Sequence, residues 1–512
     1  MNTSRKLFTS LAVIGSIATF TAAKPAAATS PWVTAYYPSW ATTAPTPANI
    51  DMRAITHLVF FALAPTATGG LSDTDGNITP NIAAVRTAAH NAGKNVEIAI
   101  GGGGTITNFR AAISPTYRAT FISNIVNWVS ANDYDGVDID MEPLESTDAT
   151  DFENFIWELR DALDDVDPGL EISAAAEPVG VPSIFAAVYD TIDQINIMTY
   201  DLSGNWPGWI SWHNSNVYNN GQTFPTGGQL PSTDLCVQAY TTAGIPLSRL
   251  GIGSAFYGAK WNDVTGPQQA INAASGPTTA VTYNDIVTTY AGGTYHFDSA
   301  VDAAWLGFQT TTPVQFISFD DPRVVVGKVN YVKNKGLGGL MCFNIAQQYV
   351  PTAPAGQQQP LLAAIYDGLH PTTTVDSLNN WSLVSSKSAN WTLDTTNPSY
   401  MNGDASRATR TTDTTEYLVY SYPNITKFTA KVYAWNGPIS AASFFVSSDN
   451  GATYSAVSVT PGSKTISTSP WGYYNIVNAN PLPAGITNLK VQFSTSGNNW
   501  DPQLSQISIT HT

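Results

Sequence analysis

Eight short apolar or β-branched runs, alternating with stretches of helical spacing, constrain this 512-residue chain more than any other feature. They are Trp32 to Tyr37, Ile55 to Leu63, Val96 to Ile100, Gly136 to Met141, Glu171 to Ala176, Gln194 to Thr199, Leu250 to Phe256 and Gly338 to Phe343. Parallel strands need a crossover long enough to hold a helix, so strand and helix in alternation imply a parallel sheet. Eight such units predict a (β/α)8 TIM barrel. The helices after the third and fourth runs show the expected apolar stripes, Phe121, Ile125, Trp128 and Val129 in one, and Phe152, Phe155, Ile156, Leu159 and Leu163 in the other. A long connection, Gly258 to Val314, predicts a small α+β insertion between strands seven and eight.

At Asp367-Gly-Leu-His-Pro371-Thr-Thr-Thr374 the texture changes to a Pro/Thr linker. Charge changes there too. Thr29 to Asp367 carries 31 acids against 12 Lys and Arg, whereas Gly368 to Thr512 has seven of each. The tail alternates short Ser, Thr and aromatic runs, and Ser443 to Ser448, Asp449-Asn-Gly451 and Ala452 to Val457 read as a hairpin. The division expected is a leader over 1–28, the barrel over 29–370 and an all-β sandwich or jelly roll over 371–512. Trp381, Trp391, Trp435, Trp471 and Trp500 of the tail either stack on sugar rings or pack its core.

Where the fourth run ends, four acids fall within eight residues, Asp135-Gly-Val-Asp138-Ile-Asp140-Met-Glu142. Alternate side chains of a strand share a face, so Asp138, Asp140 and Glu142 stack in a column with neighbours about 6 to 7 Å apart. Repulsion and burial would raise at least one pKa, as a general acid requires at neutral pH. A solvated acidic face is the plainer alternative, but Val137, Ile139 and Met141 make the other face apolar, as in a buried strand. A calcium loop requires a Gly and a Glu at spacings this segment does not supply. Chemistry in a TIM barrel sits at the C-terminal strand ends, and Glu142 stands at one.

These residues resemble the Asp-x-x-Asp-x-Asp-x-Glu signature of glycoside hydrolase family 18, the chitinases and their relatives. The resemblance extends to Tyr36-Tyr-Pro-Ser-Trp40, Met198-Thr-Tyr200-Asp201, His213-Asn-Ser, Ala255-Phe-Tyr-Gly258, Phe316 to Pro322 and Lys335 to Met341. It implies a retaining, substrate-assisted reaction in which the substrate's own acetamide oxygen is the nucleophile. Glu142 would then protonate the glycosidic oxygen and later activate water. Asp140 would hold the acetamide N–H, Asp138 would share a proton with Asp140, Tyr200 would donate to the acetamide oxygen, and Asp201 would position the sugar. Met198 belongs to the same strand motif, and Asp135 has a structural role at the start of the signature. Two positions depart from the family pattern. Ala99-Ile-Gly101-Gly102 replaces Ser-x-Gly-Gly, and Phe343 stands where a Trp commonly floors the sugar site. Tyr36, Trp206, Tyr257 and Trp261 fall at or beyond strand ends, where each either lines a saccharide cleft or packs.

Three readings follow: a chitinase cutting β-1,4 bonds between N-acetylglucosamine units, an endo-β-N-acetylglucosaminidase acting on N-glycans, and a chitinase-like lectin. The expected partner is chitin or another N-acetylglucosamine-containing polysaccharide, bound by a monomer without cofactor or metal. A net charge of -16 argues against nucleic acid or an anionic membrane. Arg5 and Lys6, an apolar run from Leu7 to Phe20, and small residues through Ala28 read as a secretory signal, so a secreted, extracellular protein is expected. Cys236 and Cys342 read as free thiols, with a single bridge as the alternative.

Overall fold

The computed structural model describes residues 30–512 except 273, 274, 436–438, 440, 469, 481 and 484. The expected leader, 1–28, lies outside the described residues. Eight parallel strands close on themselves as expected: β1 (Trp32–Pro38), β2 (His57–Pro65), β3 (Asn95–Gly101), β4 (Gly136–Asp140), β5 (Glu171–Ala176), β6 (Gln194–Ile197), β7 (Leu250–Ala255) and β8 (Gly339–Phe343). β1 pairs with both β8 and β2, which completes the barrel. Closure satisfies every edge strand's backbone within the sheet. β6 stops two residues short of its expected end because the Thr199 hydroxyl replaces the ladder, donating to the Gly253 carbonyl at 3.0 Å and accepting from Gly253 N–H at 2.9 Å.

The helices bury the faces their spacing dictates. Arg118–Asn132 hides Phe121, Ile125 and Val129, and Ala149–Asp164 hides Phe152, Phe155, Ile156, Leu159 and Leu163. Phe109, Phe121 and Phe155 interlock between them, with Phe121 and Phe155 stacked at 5.4 Å. Each such aromatic is worth on the order of 2 to 3 kcal/mol in burial alone.

The insertion is wider than its sequence limits suggest. Among the described residues its five antiparallel strands begin at Tyr257, directly after β7, and end at Phe319, with one short helix, Tyr283–Thr288. The tail forms two antiparallel sheets over their own core, where Phe428 of one sheet stacks on Phe444 of the other at 5.0 Å. The expected hairpin is present, Ala442–Ser447 pairing with Ser455–Ala456. The expected linker is corrected: Thr372–Asp376 is a strand, paired along its length with Gln503–His511. Its Thr residues suit a pleated strand, and the partner that makes it one lies more than 100 residues away in sequence. Cys236 and Cys342 are both buried and unbridged.

Candidate active site

The C-terminal mouth of the barrel holds a cavity of about 470 Å³ lined by acids on one side and aromatic rings on the other. β4 supplies the acids. Asp138 is fully buried and Asp140 nearly so, on the inward face that their two-residue spacing requires, and Glu142 follows at the rim of the cavity. Glycines at and after the end of β3 let the mouth close this tightly. Gly102 N–H donates to the Asp140 carbonyl at 2.8 Å, and a Cβ on Gly101 would lie 2.0 Å from that same oxygen. Gly101 and Gly102 also take φ of 119° and 90°, where any other residue is strained. The next amide, Gly103 N–H, donates to the Glu142 carboxylate.

Asp138 is held from both sides. Tyr36 donates its hydroxyl to Oδ2 at 2.9 Å, and Ser173 of β5 lies 2.6 Å from Oδ1. Burial pushes Asp138 up to about 6 against those two hydrogen bonds, which act to lower it. Asp140 has no such support: its Oδ1 is buried without a hydrogen-bond partner among the described residues. Burial, then the charges of Glu142, Asp138 and Glu177, hold its carboxyl well above the ordinary range. Glu142 is also raised, by burial and by Asp201, with the Gly103 amide opposing. Tyr200, buried opposite the acids, makes among the described residues a single long contact from its hydroxyl, to Met341 Sδ at 3.7 Å. Asp201 takes φ 53° after β6 and accepts the Tyr257 hydroxyl at 2.8 Å.

Phe343 meets Tyr36 at 5.7 Å, Phe61 at 5.5 Å and Tyr200 at 6.3 Å between ring centroids, so phenyl and phenol rings together make the floor. Met198 lines the cavity beside them. Asp135 is remote, at the opposite end of β4, where Val96 N–H and His90 Nε2 meet its Oδ2 at 2.8 and 2.9 Å.

Two aromatics do not line this cavity. Trp261 is fully buried against Val264 and Phe316 inside the insertion. It shares a strand face with Tyr257 but lies four residues further along, about 13 Å, which carries it past the mouth. Trp206 is half exposed on the loop beyond Asp201 and lines an adjoining recess with Asn205, Gly276 and Pro277. Residues not foreseen include Ser173, which stands opposite Asp138 in the β4–β5 register and supplies a hydroxyl where Ala99 on β3 has none. Glu177 follows β5, a position the strand-end rule could have flagged, whereas Phe61 reaches the cavity from the middle of β2.

Below the column, His57, Glu97 and Glu171 bring ligand-type atoms within 4.8 Å of one another. These groups bond within the protein instead: His57 Nε2 pairs with Glu171 Oε2 at 2.8 Å, and Glu97 Oε2 faces Ser173.

Fold and site define a class, a (β/α)8 barrel with an acid-and-aromatic cleft at its C-terminal mouth. The model of the glycosyl hydrolases family 18 matches residues 33–348, and the chain belongs to that family. Chitinase 1 of Aphanocladium album is 31% identical over 265 residues, 49% of this chain and 61% of that protein. Endochitinase 1 of Metarhizium robertsii is 31% identical over 262 residues, 48% of this chain and 59% of that protein. The chain thus spans roughly three-fifths of the length of these relatives. Among solved structures, Ostrinia furnacalis Group IV chitinase superimposes with a TM-score of 0.57 at 23% identity, covering 66% of this chain and 100% of its own. A chitinase-like agglutinin from Robinia pseudoacacia gives 0.54 at 24% identity, covering 66% and 99%. Both share the fold. Among the described residues no helix is long and apolar enough to cross a membrane.

Proposed function

We propose that this protein is a secreted chitinase that hydrolyses β-1,4 bonds between N-acetylglucosamine units by a retaining, substrate-assisted mechanism. One observation carries the reading: Asp140 faces a sugar-sized cavity while one of its buried oxygens has no partner. Leaving a buried acceptor unpaired costs about 1 to 3 kcal/mol, so a ligand N–H that fills it is favoured. An acetamide N–H is such a donor, and the Tyr200 hydroxyl, held only by a thioether, is the matching donor for the acetamide oxygen.

On this reading Glu142 protonates the glycosidic oxygen as the acetamide oxygen attacks the anomeric carbon. Asp140 holds the N–H and stabilises the oxazolinium intermediate, and Asp138 orders Asp140 from below. Glu142, now ionised, takes a proton from the water that opens the intermediate. The raised pKa of Glu142 suits its first role, since an acid must keep its proton near neutral pH to give it away. Asp201, fixed by Tyr257, positions the sugar, and Phe343 with Tyr36 and Phe61 covers its apolar face.

We assign polysaccharide binding to the tail as well. Trp435 and Trp500, each about two-fifths exposed, meet each other at 5.6 Å and the buried Trp471 at 5.3 and 5.8 Å, a triangular cluster that offers open indole surface to a pyranose.

The test is product analysis on chitin oligosaccharides beside an N-glycan substrate, with proton NMR of the first product. Cleavage between N-acetylglucosamine units with the β-anomer formed first is expected. Release of intact N-glycans alone would reassign the substrate, and an α-anomer formed first would rule out the mechanism.

A further inference from the structure

The acid column has a rung that the proposed reaction does not use. Ser173 Oγ lies 2.6 Å from Asp138 Oδ1 and 2.5 Å from Glu97 Oε2, all three side chains being fully buried. A serine hydroxyl has one hydrogen to give. If both carboxyls were ionised, one of these two short contacts would set oxygen lone pairs against each other. Both can be hydrogen bonds only when one carboxyl carries a proton and donates it to Ser173 Oγ.

The surroundings decide which one. Asp138 accepts a second bond, from the Tyr36 hydroxyl, and each such donor favours its ionised form. Glu97 has nothing comparable: its Oε1 is buried without a partner. A neutral carboxyl tolerates an unpaired buried oxygen far better than a carboxylate does. The groups facing Glu97 are His57 from β2, Asp138 from β4, and Glu171 and Ser173 from β5, with Asp135 beyond His57. The His57 imidazole is already engaged with Glu171 at 2.8 Å and with the Thr56 hydroxyl at 2.7 Å. Burial, opposed by His57 and reinforced by the two nearby acids, pushes Glu97 up to about 8.

We propose that Glu97 is a positioning residue that keeps its proton and gives it to Ser173, so that Ser173 donates to Asp138 and holds Asp138 as the ionised neighbour of a protonated Asp140. Protonation then alternates up the barrel, with Glu97 neutral, Asp138 charged and Asp140 neutral, an order that separates the like charges. When Glu97 ionises, two carboxylates compete for one hydroxyl hydrogen and Asp138 loses its donor. The catalytic consequence rests on the chitinase reading, but the protonation state does not.

Two measurements test it separately. In substrate-free protein, infrared difference spectra of wild type minus Glu97→Gln at pH 7 should contain the carbonyl stretch of a protonated carboxyl that titrates away near pH 8. If only carboxylate bands differ at pH 7, the proposal is overturned, whatever the substrate. The second measurement is turnover on a chitin oligosaccharide, where the side-chain amide introduced by Glu97→Gln can donate an N–H to Ser173 at every pH. The alkaline limb of kcat should therefore move up by a unit or more in Glu97→Gln with KM unchanged, a gain of about tenfold relative to wild type at pH 9. A structural role alone would not shift a pH profile, so an unmoved limb, set then by the proton of Glu142 alone, overturns the positioning role. Should Glu97→Gln fail to fold, Ser173→Ala is the second variant: the Glu97 carbonyl stretch must shift to higher frequency as its acceptor is lost, and an unshifted band overturns the assignment.

Discussion

Two buried charge clusters in the same barrel are built on opposite principles. In the first, Asp320 accepts from Lys328 Nζ at 2.6 Å and from Ser254 Oγ at 2.8 Å, while Lys328 also donates to the Gly253 carbonyl at 2.9 Å and to Ser215. Cation meets anion, and the remaining bonding capacity is spent on the backbone and neighbouring hydroxyls. In the second, Asp138, Asp140 and Glu142 stack with Glu97 below and Glu177 beside them, held by hydroxyls and one backbone amide. Pairing fixes charge states and leaves nothing for a ligand. Stacked acids leave protons to be moved and an oxygen to be bonded, so the cluster that costs folding stability is the one equipped for chemistry.

Breaking the paired cluster should have the largest effect on stability. Lys328→Met strands Asp320 in the core and should destabilise the fold by about 3 to 5 kcal/mol, read by denaturant unfolding, with activity per folded molecule unchanged. An effect on kcat at full folding would show that the two clusters are coupled.

The unpaired cluster should respond in the other direction. Asp138 rises from 3.8 to about 6 on folding. A carboxyl raised this way stays protonated in the folded state while the unfolded chain releases its proton, so its contribution falls as pH rises from about 4 through about 6. Two units correspond to about 3 kcal/mol at most. Asp138→Asn removes that term. The difference in stability, variant minus wild type, should therefore increase between pH 4 and pH 7 while activity is lost. A flat difference would mean that the hydrogen bonds from Tyr36 and Ser173 fully offset the burial of Asp138. The smallest effect belongs to the tail: Trp435→Ala with Trp500→Ala should weaken retention of the full chain on chitin by about tenfold without altering turnover of short oligosaccharides. Unchanged retention would make that corner a packing feature.

Much of this was legible in the chain. Periodicity alone placed all eight barrel strands within two residues, because buried parallel strands are written as continuous apolar runs. The acid column was legible for the same reason, since a period of two fixes which side chains share a face whatever the rest of the fold does. What escaped depended on register. Ser173 is one serine among many until β5 is laid beside β4, and Glu97 is one more acid until Ser173 bridges it to Asp138. Trp261 was open between cleft and core in the sequence, and it packs because the strand it occupies belongs to the insertion, where distance along the strand, not its face, takes it from the cleft. The Thr372–Asp376 strand reads as linker because a strand with a distant partner carries little local signal.

The central claim, that Glu142 is the acid of a column that binds its sugar independently of that acid, is tested most directly by Glu142→Gln. Calorimetric titration with a chitin oligosaccharide, beside turnover of the same substrate, should show binding within a few-fold of wild type and kcat reduced about a thousandfold or more. Turnover that survives the substitution would contradict the account.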